Sequence, residues 1–193
     1  MLTYSFVGEL AMVPTPSMER TVLVGDHYFL VKFPYAPAVP FTGYRLPRWR
    51  KVGRGEIVAF RSPLDPQQTF LKRVVAVGGD EIAIHGGIAY VNGKALDEPY
   101  AHATGREEMD TVLVPNGRLF MLGDNREHSE DSRFWGTVPE ENVIGKPLMI
   151  FWSYDAPSFA WLDHNPADQL RFYASIAAHF FGNTRWTRLG ARL

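Results

Sequence analysis

The chain has 193 residues, 46% of them apolar, a formal net charge of −1 and no cysteine. That length supports one sizeable core with an appended subdomain. The near-zero charge gives no global field for nucleic acid, and the missing cysteine excludes disulfides, thiolate catalysis and cysteine-ligated zinc. No run of about 18 apolar residues occurs, so no segment reads as a bilayer span. Residues 1–13 lack the basic start and continuous apolar stretch of a secretory signal. Either the protein is soluble as it stands, or a membrane anchor lies upstream of Met1.

The first distinctive stretch is Val13-Pro14-Thr15-Pro16-Ser17-Met18. Two prolines fix φ and remove two donors, which predicts a stiff, extended segment that presents the Ser17 hydroxyl. Residues 22–26 and 28–31 then read as apolar strands broken by a Gly-Asp turn. Residues 34–47 read as an irregular Pro-rich loop with Pro34, Pro37, Pro40, Gly43 and Pro47, and Arg45, Arg48, Arg50, Lys51 and Arg54 make a basic cluster in and after it. A solvated surface is the ordinary reading of such a cluster.

Strands are expected at 56–60 and 69–77, the second carrying Lys72 and Arg73 in its middle. Gly78-Gly79-Asp80 turns the chain into two hairpins, with strands at 81–84 and 88–91 and a turn at Asn92-Gly93. Residues 97–112 read as a polar loop, 118–122 as a strand, 123–136 as a polar stretch and 144–154 as a buried strand. One helix is expected, opened by Asn165-Pro166 and closed by Gly182-Asn183, with Leu170, Tyr173, Ile176, Ala177 and Phe180 at helical spacing. The tail 184–193 is basic and contains Trp186. The class is mainly β and antiparallel.

Lys72 sits in an apolar, β-branched strand. Pointed into the core, its ammonium is disfavoured and its pKa falls. Bringing a lysine from about 10.4 to about 7–8 needs roughly 4 kcal/mol, which a dry pocket supplies. A neutral lysine can take a serine proton, so Ser17 with Lys72 is a candidate serine–lysine dyad. In Gly123-Asp124-Asn125-Arg126-Glu127-His128-Ser129-Glu130-Asp131-Ser132-Arg133, Asp131 and Arg133 are placed to pair and Ser129 to orient a lysine. A solvated polar loop is the plain alternative.

Four blocks, PSM–ERTVLVGD, GRGEIVAF, FLKRVVAVGGD and GDNREHSEDSRFWGTVP, occur in that order. Together they resemble the type I signal peptidases of bacteria, the serine–lysine S26 peptidases. The resemblance implies a partly open β-barrel of antiparallel sheets with a small cap insertion and a C-terminal helix. It implies Ser17 as nucleophile, Lys72 as general base, Ser129 as the serine bonded to the lysine, and Asp131 with Arg133 as a supporting ion pair. Ser17 Oγ and Lys72 Nζ are then expected to approach within hydrogen-bond reach. The Thr15 side chain and the Ser17 N–H would form the oxyanion hole. Val13, Met18, Val22, Phe70 and Leu71 would line the small pockets for an Ala-x-Ala site. Pro16 and Arg20 depart from the family pattern, where a small residue and a proline are usual.

The expected division is a catalytic β-domain over 1–155, with the cap at about 83–117, and a helix and basic tail over 156–193. Expected partners are preprotein signal peptides and a membrane lipid surface, with no nucleic acid, metal or cofactor, and the protein is expected to be a monomer. The resemblance implies the bacterial inner membrane, with the catalytic domain on its extracytoplasmic side and the family's transmembrane anchor absent from this chain. Both residues 1–10 and the late amphipathic helix are candidate lipid contacts, and packing on the β core is the alternative for the helix. His128 reads as a loop residue. Pilus or organelle inner-membrane peptidases, self-cleaving repressors and an inactive peptide-binding β-domain are the competing readings.

Overall fold

Apolar residues in period two set the strands, and the structure, a computed structural model, describes residues 8–33, 35, 50–103 and 105–193. In chain order the strands are β1 (Gly8–Met12), β2 (Asp26–Val31), β3 (Ile57–Arg61), β4 (Thr69–Val77), β5 (Glu81–His85), β6 (Ile88–Val91), β7 (Lys94–Ala95), β8 (Met109–Leu113), β9 (Arg118–Leu122), β10 (Val138–Pro139) and β11 (Val143–Ser153). The helices are α1 (Ser132–Trp135), α2 (Ser158–Leu162) and α3 (Pro166–Asn183). The chain is mainly β, as its patterning predicts.

Among the described residues these strands form two antiparallel sheets. The larger runs β1-β2-β11-β3-β4-β9-β10 and the smaller β7-β6-β5-β8. The centre of the larger sheet is buried on both faces, because alternate residues of β3 enter different clusters. Ile57 and Ala59 join Val13, Met18, Val22, Tyr28 and Leu30. Val58 and Phe60 join Val74, Leu119, Met121 and Val143. A register shift between Val74 and Ala76 re-aims the end of β4. Val75 and Ala76 therefore meet Ile82, Ile84 and Val91 of the smaller sheet.

Several local expectations change. Residues 22–24 are not a strand: the Val22 N–H donates to Met18 O, the Leu23 N–H to Asp26 Oδ2 and the Asp26 N–H to Leu23 O, which coils the segment. Gly25 closes it at φ +83°, where a Cβ would lie 2.0 Å from Tyr154 O. Residues 109–112, expected as loop, fall in β8, which pairs with β5. Helix α2 carries no capping signal that announces it. The expectations for Leu2, Tyr4, Phe6, Val7, Pro34, Pro37, Pro40, Gly43, Arg45, Pro47 and Arg48 lie outside the described residues. Within the basic cluster, Arg50 pairs with Glu56 and Arg54 with Asp80.

Helix α3 starts where expected, with Asn165 Oδ1 accepting the Ala167 N–H at 3.0 Å. Its inward stripe differs from the one expected. Phe172 meets Trp161 edge to face, Ile176 is buried and Phe180 stacks on Trp152. Leu170, Tyr173 and Ala177 face outward, because the two tryptophans fix which side docks. The tail returns along β11: the Arg185 N–H donates to Ser153 O, Gly190 and Ala191 exchange bonds with Ile150, and the Leu193 N–H reaches Leu148 O.

Candidate active site

Pro16–Met18 form a 3-10 turn, with Thr15 extended before it at φ −125° and ψ 152°. The sequence had implied an extended Ser17. Proline also fits the first helical position, where its missing N–H costs nothing, and that preference wins here. Ser17 is 9% exposed. As a first-turn amide its N–H has no intrahelical acceptor. Thr15 is exposed, and its side chain makes no capping bond. Among the described residues neither the Ser17 N–H nor the Thr15 hydroxyl has a hydrogen-bond partner.

The turn packs on β4 and on the 3-10 turn Arg126–His128. The Asn125 N–H donates to Ser17 O at 3.1 Å, and Asn125 Nδ2 reaches Pro16 O. Asn125, in the polar stretch 123–136, therefore clamps the turn through both its backbone and its side chain. Gly123 lies between the two segments. A Cβ there would meet Ser129 Oγ at 2.2 Å and Ser17 O at 2.6 Å, so only glycine allows this approach.

Lys72 is 3% exposed in the middle of β4. Burial pulls its amine down from 10.5 to about 8, against the opposing pull of Asp131. No hydrogen bond joins Lys72 Nζ to Ser17 or to Ser129 among the described residues. Ser129 Oγ instead donates to Asp131 Oδ2 at 2.7 Å. That bond uses the hydroxyl proton and leaves the oxygen lone pairs for a cation. Asp131 is fully buried and heavily used: it caps α1, accepts the Gly123 N–H at 3.0 Å and pairs with Arg133 Nε at 2.8 Å. Arg133 also donates to Arg126 O and Ser129 O, so the ion pair ties the whole polar stretch together.

The five expected pocket residues are divided by β4. Leu71 packs with Val13, Met18 and Val22 on one face. Phe70 lies on the other, stacked on Trp135 with centroids 5.2 Å apart, and shares that face with Lys72. Val22 has no exposed surface, so it is floor rather than wall. Arg20 takes φ +81°, which proline cannot adopt, so the turn after Met18 follows its own path.

Sequence reasoning missed the frame around these residues. Asp124 pairs with Arg73 through bonds of 2.9 and 2.7 Å and accepts Thr21 Oγ1. Arg73 lies over the Tyr100 ring, 3.7 Å from its centroid. Arg126 pairs with Glu98 at 2.7 Å, with both side chains buried. Asp and Arg inside the most informative block were the available signal, but their partners are distant in sequence. His128 contacts Asn125 Oδ1 at 3.3 Å, and among the described residues no hydrogen bond links it to Ser17. No group of three or more metal-ligating side chains occurs among the described residues.

A model of the family described as signal peptidase, peptidase S26, matches residues 1–152. A probable signal peptidase I-2 of Synechocystis is 38% identical, over 77% of this chain and 65% of its own length. A signal peptidase I of Pseudomonas fluorescens is 30% identical, over 82% of this chain and 69% of its own. A signal peptidase I structure from Enterococcus faecalis covers 50% of this chain and 97% of its own, at 30% identity and a TM-score of 0.46. The chain thus spans about two thirds of the length of these two curated relatives. On the extent of the family match and the identity to these relatives, it belongs to the signal peptidase family, peptidase S26.

Proposed function

We propose that the chain is a serine endopeptidase that removes N-terminal signal peptides from preproteins. The observation that carries this reading is Lys72, a nearly fully buried lysine with its amine lowered to about 8, on the strand against which the Ser17 turn packs. At that value about a tenth of the amine is neutral at pH 7 and can act as a base. The neutral amine takes the Ser17 proton as Oγ attacks the scissile carbonyl. The tetrahedral oxyanion meets the Ser17 N–H and the Thr15 hydroxyl. The lysine ammonium then protonates the leaving amine, which frees the mature protein and leaves an acyl-enzyme. Lys72 next takes a proton from water, the hydroxide attacks the ester, and Ser17 recovers its proton. Ser129, held by Asp131 and Arg133, donates its hydroxyl proton to Asp131 and offers its oxygen lone pairs to the ammonium that forms when Lys72 takes the serine proton.

Substrate entry follows from the sheet. β9 covers β4 only from Arg73 to Val77, so the 69–72 half keeps one edge without a strand partner among the described residues. An extended peptide can add there as a strand and present alternate side chains. Val13, Met18, Val22 and Leu71 pack into one apolar cluster beside the Ser17 turn, and we assign the small side chains of an Ala-x-Ala site to its surface. We assign residues 1–155 to a catalytic domain, with the smaller sheet as its cap, and 156–193 to a C-terminal element. The protein acts as a monomer.

The site works at a lipid surface, at the extracytoplasmic face of the bacterial inner membrane. No helix among the described residues is long and apolar enough to cross a membrane. Exposed apolar side chains are the candidate lipid contacts: Leu10 and Phe29 on the β1–β2 edge, and Phe159, Leu170, Tyr173 and Phe181 on the helices. The test is cleavage of a preprotein with an Ala-x-Ala site, read by sequencing the product's N-terminus. The wild type cleaves after the second alanine, and Ser17→Ala and Lys72→Ala do not. Full activity in either variant overturns the reading.

A further inference from the structure

The tail grips the segment that follows Ser17. Arg188 lies in the 3-10 turn Trp186–Arg188, past residue 152, where the family match ends. Its Nε lies 3.0 and 3.2 Å from the two Asp26 oxygens, and its Nη2 donates to Asp26 Oδ2 at 2.6 Å and to Thr21 O at 3.0 Å. Asp26 has no exposed surface, and its Oδ2 also accepts the Leu23 N–H at 2.8 Å. Thr21 in turn donates its N–H to Met18 O at 3.1 Å and its hydroxyl to Asp124 Oδ2 at 2.5 Å. One guanidinium therefore spans a buried carboxylate and a backbone carbonyl in the coil 18–26. That coil leads straight out of the Ser17 turn.

The tail does not depend on this contact for its own place. Gly190, Ala191 and Leu193 are bonded to β11 through the backbone. Arg188 thus connects β11, a central strand of the larger sheet, to the coil behind Ser17. We propose that Arg188 is a positioning residue: by holding Thr21 and Asp26 it fixes the Ser17 turn against β4 and Asn125. This rests on the reading of Ser17 as the nucleophile. A planar fork is needed, since only a guanidinium reaches both partners at once. A salt bridge that merely anchored the tail would need Asp26 alone.

The test is steady-state cleavage of an Ala-x-Ala peptide by Arg188→Ala, Arg188→Lys, Arg192→Ala and Ser17→Ala, well below each melting temperature. Arg192 is an exposed tail arginine and serves as the control. Misplacing a reacting group by about 1 Å costs on the order of a hundredfold, so Arg188→Ala should lose about that much in kcat, with KM within about twofold of wild type. Millimolar guanidinium should restore its kcat where urea does not. Arg188→Lys should lose part of kcat, because it keeps the charge beside Asp26 but loses Thr21 O. Arg192→Ala should match the wild type. Wild-type kcat in Arg188→Ala, a loss confined to KM, a loss that tracks the unfolded fraction, or no rescue by guanidinium overturns the proposal. If Arg188→Ala does not fold, wild-type kcat in Arg188→Lys overturns it. An active Ser17→Ala enzyme would bring down the nucleophile assignment itself, and this inference with it.

Discussion

Replacing Lys72 by methionine should abolish cleavage and make the protein more stable. The native state holds the Lys72 amine at about 8 instead of 10.5, chiefly because burial disfavours its charge. That gap is a penalty of roughly 3 kcal/mol on the folded state at neutral pH. Below about pH 8 the amine is charged in both states, so the full penalty is present. Between about pH 8 and 10.5 the unfolded chain binds a proton that the folded chain does not, so stability rises with pH as the penalty is relieved. Methionine keeps the length of the side chain without the charge. Asp131 is not orphaned by the change, since Arg133, Ser129 and the Gly123 N–H still bond to it. Lys72→Met should thus gain about 3 kcal/mol at pH 7, or roughly 6–12 °C in Tm for a domain of this size. Chemical denaturation at pH 7 and pH 10.5 is the assay, and the advantage of the variant should shrink by most of that amount at the higher pH. A variant less stable than wild type at pH 7, or an advantage independent of pH, would refute the burial argument.

The same amine sets the pH–rate profile. kcat/KM should rise with pH through an acid limb near 8, and a limb near 6.5 would point to a histidine instead. Gly123→Ala should cut kcat sharply, because its Cβ lands on Ser129 and on Ser17 O, and circular dichroism should show the fold retained. His128→Ala should keep most activity in the peptide assay, since its contact is to Asn125 and not to Ser17. Tyr173→Ser with Phe181→Ser should weaken co-sedimentation with anionic liposomes and leave cleavage of a soluble peptide unchanged, because both side chains are exposed.

Most strands were legible, because β3, β4 and β9 carry apolar, β-branched or aromatic runs bounded by Gly, Pro and Asp. β8 was not: Met109-Asp-Thr-Val-Leu113 is mostly exposed, and only pairing with β5 makes it a strand. The Ser17 turn was misread because a proline that forbids a helix interior is welcome at a helix start. The helical stripe of α3 was half right: Ile176 and Phe180 face inward as expected, but Phe172 joins them in place of Leu170, Tyr173 and Ala177, because Trp161 and Trp152 set the docking side and single-helix periodicity does not contain them. At the site, residue types pointed to Ser17, Lys72, Ser129, Asp131 and Arg133. The partners that brace them, Arg73 with Asp124, Asn125 with Ser17 O, and Arg188 with Asp26, join segments far apart in sequence. Sequence distance hides such pairs, whatever the residue types.

The central claim is that Ser17 Oγ forms a covalent acyl intermediate with Lys72 as its base. The most direct measurement is rapid acid quench of the enzyme with a peptide ester ending in Ala-x-Ala, followed by intact-mass and peptide mapping. The account predicts an acyl adduct on Ser17 in the wild type, none in Ser17→Ala, and strongly slowed formation in Lys72→Met. An adduct on any other residue, or undiminished turnover in Ser17→Ala, would contradict it.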